Sequence, residues 1–130
     1  MSITIGLKGR ADAVVTAENT ASAVGSGLVP VFATPYMIAL MEQAAVNALL
    51  SHLGEGEGSV GTLLNVAHTS ATPVGMKVWA EATVTIVEGR KICFDVVAYD
   101  EVGEIGWGTH ERSIIHLDKF LAGVQKKRIP

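Results

Sequence analysis

Three side chains stand where their types and spacing could do chemistry: a carboxylate, a hydroxyl and an imidazole. Glu42 is the acid in the apolar run TPYMIALMEQAAVNALL, with Ile38, Leu40, Met41, Ala45, Val46 and Leu49 around it. An ionised group is costly to desolvate, so such a carboxylate either finds the polar side of its helix or is held there for a reaction. Thr34 opens the same run. Its plain reading is a helix N-cap, but a hydroxyl there also sits beside unsatisfied N–H groups and the positive end of the helix dipole. Negative charge developing on a carbonyl oxygen is stabilised in that setting. His68, in VAHTSATPVG, lies near a strand end, and its plain reading is a structural or surface histidine.

The eight-residue spacing of Thr34 and Glu42 limits what they can do together. Eight helical residues rise about 12 Å and turn roughly 800°, leaving the two directions about 80° apart. A direct hydrogen bond is therefore not expected. Two groups flanking a bound substrate or water fit the spacing better, because helical side chains lean toward the N-terminus.

Other chemistries lack support. His52 is placed near the helix exit, where an imidazolium suits the dipole. His110 and His116 share one parity of the last strand but lie far apart, without an HExxH-like pattern, so no metal site is expected. Cys93 is the single cysteine and sits in the strand-like KICFDVVAY, which reads as structural. There is no G-x-S-x-G elbow, no phosphate-binding GxxxxGK[ST] loop and no dinucleotide fingerprint. The formal charge of −3 gives no reason to expect a nucleic-acid partner, and Lys126, Lys127 and Arg128 read as a solvated tail. Without an N-terminal apolar signal region or an apolar segment of about 18 residues, a cytoplasmic protein with no membrane partner is expected.

The elements that must position these groups follow from pattern. The chain of 130 residues reads as one domain, residues 1 to 130, with strand-like pieces at ITIGL and ADAVVTA. A small, Gly-rich stretch from Thr20 to Val31 reads as a loop or lid. Thr34 as N-cap and Pro35 at the first helical position predict a helix running to about Leu53, with Gly54 as the left-handed residue after it. It should be largely buried, because its apolar residues cover more than one stripe. Val78, Ala80, Ala82, Val84 and Ile86 then alternate with polar residues, and Ile92, Phe94, Val96 and Ala98 do the same after a tight turn at Glu88–Arg90. With strands at about Ser59–Ser70 and Ile105–Leu117, the fold class is α+β: a curved antiparallel sheet against one long helix. One helix seldom covers such a sheet entirely, so two copies should pair, with a ligand cleft at the pairing surface.

The segments VFATPYMIALMEQAA, SVGTLLNVAHTSATPVGM and GWGTHERSII resemble the fluoroacetyl-CoA thioesterase-like branch of the hot-dog superfamily, over about residues 26 to 117. That family carries a threonine opening the long helix, a glutamate eight residues on and a histidine twenty-six beyond, and Thr34, Glu42 and His68 fit both gaps. The resemblance implies a hot-dog fold, with the sheet wrapped around the central helix, and a homodimer with active sites at the interface. It also implies hydrolysis of a short or medium acyl-CoA to a carboxylic acid and free CoA, the thioester being substrate and no cofactor being needed. Gly61 matches a glycine whose backbone lies beside the acyl group, and Arg112 an arginine placed near the site. Glu42 would then act as nucleophile, through a mixed anhydride, or as base on water, with Thr34 and His68 assisting.

The lid departs from the family pattern. Gly25 and Leu28 stand where bulky rings are expected and Phe32 is the only aromatic there, so Leu28 and Phe32 should border a differently shaped acyl pocket. Fluoroacetyl specificity is therefore not carried over. Two rival readings are a non-catalytic dimer binding acyl-CoA or acyl-carrier protein, and a hot-dog enoyl-CoA hydratase or dehydratase. The latter places its acid and histidine close together at a strand-to-helix junction, which Glu42 and His68 do not match.

Overall fold

The computed structural model describes residues 2–130. Five antiparallel strands, β1 (Lys8–Val14), β2 (Glu57–His68), β3 (Lys77–Glu88), β4 (Lys91–Asp100) and β5 (Glu104–His116), form one sheet in the order β1-β3-β4-β5-β2. The sheet curls around the helix α2 (Thr34–Leu49), while α1 (Ala21–Val24) and α3 (Leu117–Gln125) are accessory. Among the described residues no helix is long and apolar enough to cross a membrane.

Helix α2 is set by its sequence. Good helix formers fill it, and proline stands in the first turn, where its missing N–H costs nothing. The capping residue is Ala33, not Thr34: Ala33 has extended dihedrals and Thr34 is the first helical residue. Met37, Leu40, Met41, Ala44, Ala45, Ala48 and Leu49 form the buried stripe, at spacings of three and four. Each large side chain fully buried there contributes about 1.5–3 kcal/mol. The stripe is narrower than the composition implied, because alanines supply part of it and Tyr36, Gln43 and Asn47 face outward. The helix passes into a 3-10 turn at Leu50–His52, and Gly56 rather than Gly54 takes the positive φ before β2. Gly9 of β1 lies against the α2 backbone so closely that a Cβ would collide with Ala44 O and Ala48 N.

The sheet's inner face follows the predicted alternation at Val78, Ala80, Ala82, Val84, Ile92, Phe94, Val96 and Ala98, all buried. Ile86 breaks it. An irregularity between Val84 and Ile86 turns Ile86 outward and lets Val87 pack on the core instead. The turn at Gly89-Arg90 is as expected, with Gly89 at φ 62°. The piece ITIGL is not a strand, although Gly6 N–H donates to Val84 O at 2.8 Å.

The lid contains the short α1, capped by Thr20 and ended by Gly25 at φ 80°, and is fastened by bridges Thr20–Phe32 and Val31–Pro73. The C-terminal tail begins as the unanticipated α3. Leu117, Phe120, Leu121 and Val124 recur on it at helical spacing, the whole segment is exposed, and Lys126–Arg128 form a 3-10 turn at its end where a solvated tail was expected.

Candidate active site

Thr34 and His68 meet. The N1 position frees the threonine hydroxyl from capping, and the last residue of β2 brings an imidazole to it: Thr34 Oγ1 lies 2.7 Å from His68 Nδ1. Burial holds the His68 pKa below its ordinary value, the nearby Ser70 backbone offsetting part of this. The ring is therefore neutral near pH 7. Its other nitrogen, Nε2, is buried and has no hydrogen-bond partner among the described residues. Both side chains line a groove of about 310 Å³ between the lid and the β2 end, with Gly27, Val29, Val31 and Phe32 forming much of its wall.

Leu28 is not part of that wall. Its neighbours Gly27 and Val29 line the groove, but Leu28 is 97% exposed. Phe32 is buried and separates this groove from a larger one, of about 500 Å³, on the β1 side of α2.

Glu42 belongs to a second cluster, two helical turns on. Its carboxylate does not line the Thr34–His68 groove. Oε2 accepts from Arg112 Nη1 at 3.2 Å, and the Glu42 side chain remains 37% exposed. Gly61 of β2 makes this approach possible: a Cβ there would overlap Glu42 Oε2 and press on Arg112 Nη1 and His110 Cε1 at 3.3 Å each. A register irregularity follows Gly61, between it and Leu63. Arg112 is buried and anchored, Nε donating to Ser59 Oγ at 2.9 Å and Nη2 to Ser59 O at 3.2 Å. Burial lowers the guanidinium pKa and the Glu42 charge opposes that, leaving it cationic at any working pH.

Glu42, Gly61 and Arg112 thus converge, Thr34 and His68 converge, and both clusters lie between α2 and the β2–β5 side of the sheet. Their Cα atoms on the helix are separated by an axial rise of about 12 Å. Sequence reasoning set aside His110 and did not single out Ser59. The signal for His110 was strand parity: it shares the inward face of β5 with Arg112 and Ile114, all buried. Ser59 carried no such signal. Among the described residues no group of three or more His, Cys, Asp or Glu is placed to hold a metal ion.

Comparison with known proteins gives the family. The family model for FlK, fluoroacetyl-CoA-specific thioesterase, matches residues 15–118. The chain belongs to that family. A fluoroacetyl-CoA thioesterase of Streptantibioticus cattleyicolor is 53% identical over 97 residues, covering 75% of this chain and 70% of that protein. A solved structure of the fluoroacetyl-CoA thioesterase FlK superposes with a TM-score of 0.91 at 42% identity, over 98% of both chains. A single-residue variant of FlK, solved in complex with fluoroacetate and CoA, matches with a TM-score of 0.85 at 43% identity, over 91% of this chain and 99% of that one. The curled sheet around α2 is the hot-dog fold of these thioesterases. As a member of the FlK family this chain is an enzyme, an acyl-CoA thioesterase.

Proposed function

We propose that the protein hydrolyses a short or medium acyl-CoA to the carboxylic acid and free CoA, as a homodimer, with Glu42 as nucleophile or general base and Thr34 and His68 assisting. The observation that carries this reading is the half-held carboxylate. Arg112 fixes Oε2, whereas Oε1 has no hydrogen bond among the described residues, so one oxygen is oriented and the other is open to react.

As nucleophile, Glu42 would attack the thioester carbonyl. The C–S bond breaks, CoA leaves as thiolate and takes a proton, and water opens the resulting mixed anhydride. As base, Glu42 would remove a proton from water, the hydroxide would attack the same carbon, and the thiolate would leave likewise. A neutral His68 hydrogen-bonded to Thr34 can pass a proton in either route, with Nε2 free to meet a substrate oxygen or water. Gly61 and Arg112 border the carboxylate, and Phe32 borders the groove as an acyl wall. Leu28, exposed in the single chain, would act at most as a mobile cover.

Pairing of two copies is supported by the sheet edge. β2 is terminal in the sheet, carries Leu63 at 45% exposure and holds Gly61 against Glu42. A second chain seated there would cover the open edge of β2 and enclose both polar clusters in one cleft. The small groove volume favours short acyl groups, and the small, exposed lid residues give no basis for fluoroacetyl selectivity.

The test is free thiol release from a panel of acyl-CoAs by the wild type and Glu42→Gln. A loss of at least about a hundredfold in a folded variant is expected, the scale of a lost reacting or proton-transferring group. Near-normal turnover would remove Glu42 from the reaction.

A further inference from the structure

We propose that His110 is a positioning residue for the reaction: as a neutral ring it bridges the Leu63 carbonyl and the Arg112 guanidinium, and so aims Arg112 at the Glu42 carboxylate. The inference rests on the reading of Glu42 as the reacting carboxylate.

The hydrogen bonds fix the tautomer. His110 Nδ1 lies 2.8 Å from Leu63 O, and a carbonyl can only accept, so Nδ1 carries the proton. Nε2 lies 3.2 Å from Arg112 Nη1, which can only donate, so Nε2 must offer its lone pair. One protonation state satisfies both contacts: the neutral ring with hydrogen on Nδ1. A protonated ring would set one N–H against another and one cation against another. The side chain is fully buried, and Phe94 of β4 stacks on it at 5.8 Å between centroids and 26° between planes, which fixes the ring's orientation.

Arg112 is thereby held at every nitrogen. Ser59 takes Nε and Nη2, and Nη1 is shared between Glu42 Oε2 and His110 Nε2, each at 3.2 Å. Without His110, Nη1 would keep Glu42 as its partner, and the planar guanidinium, held on its far side by Ser59, could tilt about those two contacts and loosen the direction in which it holds the carboxylate. A histidine filling space alone would not need this tautomer, nor would its Cε1 border the gap left by Gly61, where Glu42 and Arg112 meet.

The charges facing the ring are Arg112 on its own strand, Glu42 from α2 and, adjacent on β5, Glu111; β4 presents uncharged Phe94. Burial, aided by Arg112, keeps His110 below the ordinary histidine pKa, with the Leu63 hydrogen bond and the two glutamates opposing. The aiming bond is therefore intact at neutral pH and is lost on acidification.

The test compares His110→Gln, which can still donate to Leu63 O and accept from Arg112, with His110→Phe, which keeps the bulk and the stacking but neither bond. His110→Phe should lower kcat roughly tenfold or more with KM within about threefold, the effect of a slightly misdirected reacting group, and His110→Gln should recover most of that loss. Equal kcat in wild type and His110→Phe, while Glu42→Gln is inactive, would overturn the positioning role and leave Glu42 standing. Full activity of Glu42→Gln would instead remove the reading on which the role depends. Should His110→Phe fail to fold, ¹⁵N NMR of the wild-type imidazole decides: a neutral ring protonated on Nδ1 at pH 7 supports the role, and hydrogen on Nε2, or a cationic ring, overturns it.

Discussion

Adding one methyl group at residue 61 should separate catalysis from stability. Gly61 lies outside the positive-φ glycines, so alanine fits the backbone without strain. Its Cβ would overlap Glu42 Oε2 and touch Arg112 Nη1 and His110 Cε1 at 3.3 Å. The last two are firmly held, whereas Glu42 is the end of a flexible, partly exposed side chain, so the carboxylate yields. Restoring ordinary carbon–oxygen contact requires Oε2 to retreat by about 1 Å, and misplacement of that size costs about a hundredfold in rate. Stability moves the other way or hardly at all. Replacing a strand glycine by alanine gains about 0.5–1 kcal/mol, and weakening a partly exposed ion pair costs about 0–1 kcal/mol. Gly61→Ala should therefore lose about two orders of magnitude in kcat for thiol release, with Tm within about 4 °C of wild type. A kcat within threefold of wild type would refute the close approach of Glu42 as a requirement for turnover. A Tm fall beyond about 10 °C would show that the methyl displaces the strand and not the carboxylate.

Thr34→Ala should lower kcat more than Thr34→Ser, because serine keeps an oxygen within reach of His68 Nδ1; equal losses in thiol release would assign the residue to packing through its methyl group. For His68 and His110 the folded pKa lies below the unfolded value near 6.5, so the unfolded chain takes up protons first as pH falls. Their contribution to stability is complete above about pH 6.5 and is lost on acidification through their lowered folded values. Urea midpoints should therefore fall between pH 7 and pH 5, and less so in His110→Gln; identical midpoints would refute the buried neutral rings. Gly9→Ala drives a Cβ into the α2 backbone, where no side chain can move aside, and should cost about 3 kcal/mol or more in urea unfolding. A stability loss below about 1 kcal/mol would mean that α2 can lift from β1.

Alternation made the inner face of β3 and β4 legible, because a strand with one buried side must repeat every second residue. Ile86 escaped because a single irregularity reverses parity, and nothing local in TVTIVE announces one. Helix α3 was legible but passed over: Leu117, Phe120, Leu121 and Val124 carry the spacing of one helical face. The contact of Thr34 with His68 is of another kind. It joins residues 34 apart through the curl of the sheet, and only the family resemblance paired them in the sequence. His110 was set aside with His116 for want of a metal-ligand pattern, since its meaning depends on register: Leu64 opposite it on β2 and Phe94 opposite it on β4 place it in the interior.

The shift of the helix start by one residue has a chemical consequence. As an N-cap, Thr34 would spend its oxygen accepting a backbone N–H of the first turn; with Ala33 in that place the oxygen is left for His68. The first turn then presents the positive end of α2 beside the groove, where it favours a neutral His68 and any negative charge gathering on a substrate oxygen. Glu42, farther along the same helix, is removed from that positive end and is held instead by Arg112 through a single oxygen. On the proposed reading, one rod separates an electrophilic end, suited to a carbonyl oxygen, from a carboxylate that attacks or removes a proton. A thioester lying along it would need both, and the open β2 edge is the side from which it, or a second chain, can reach them.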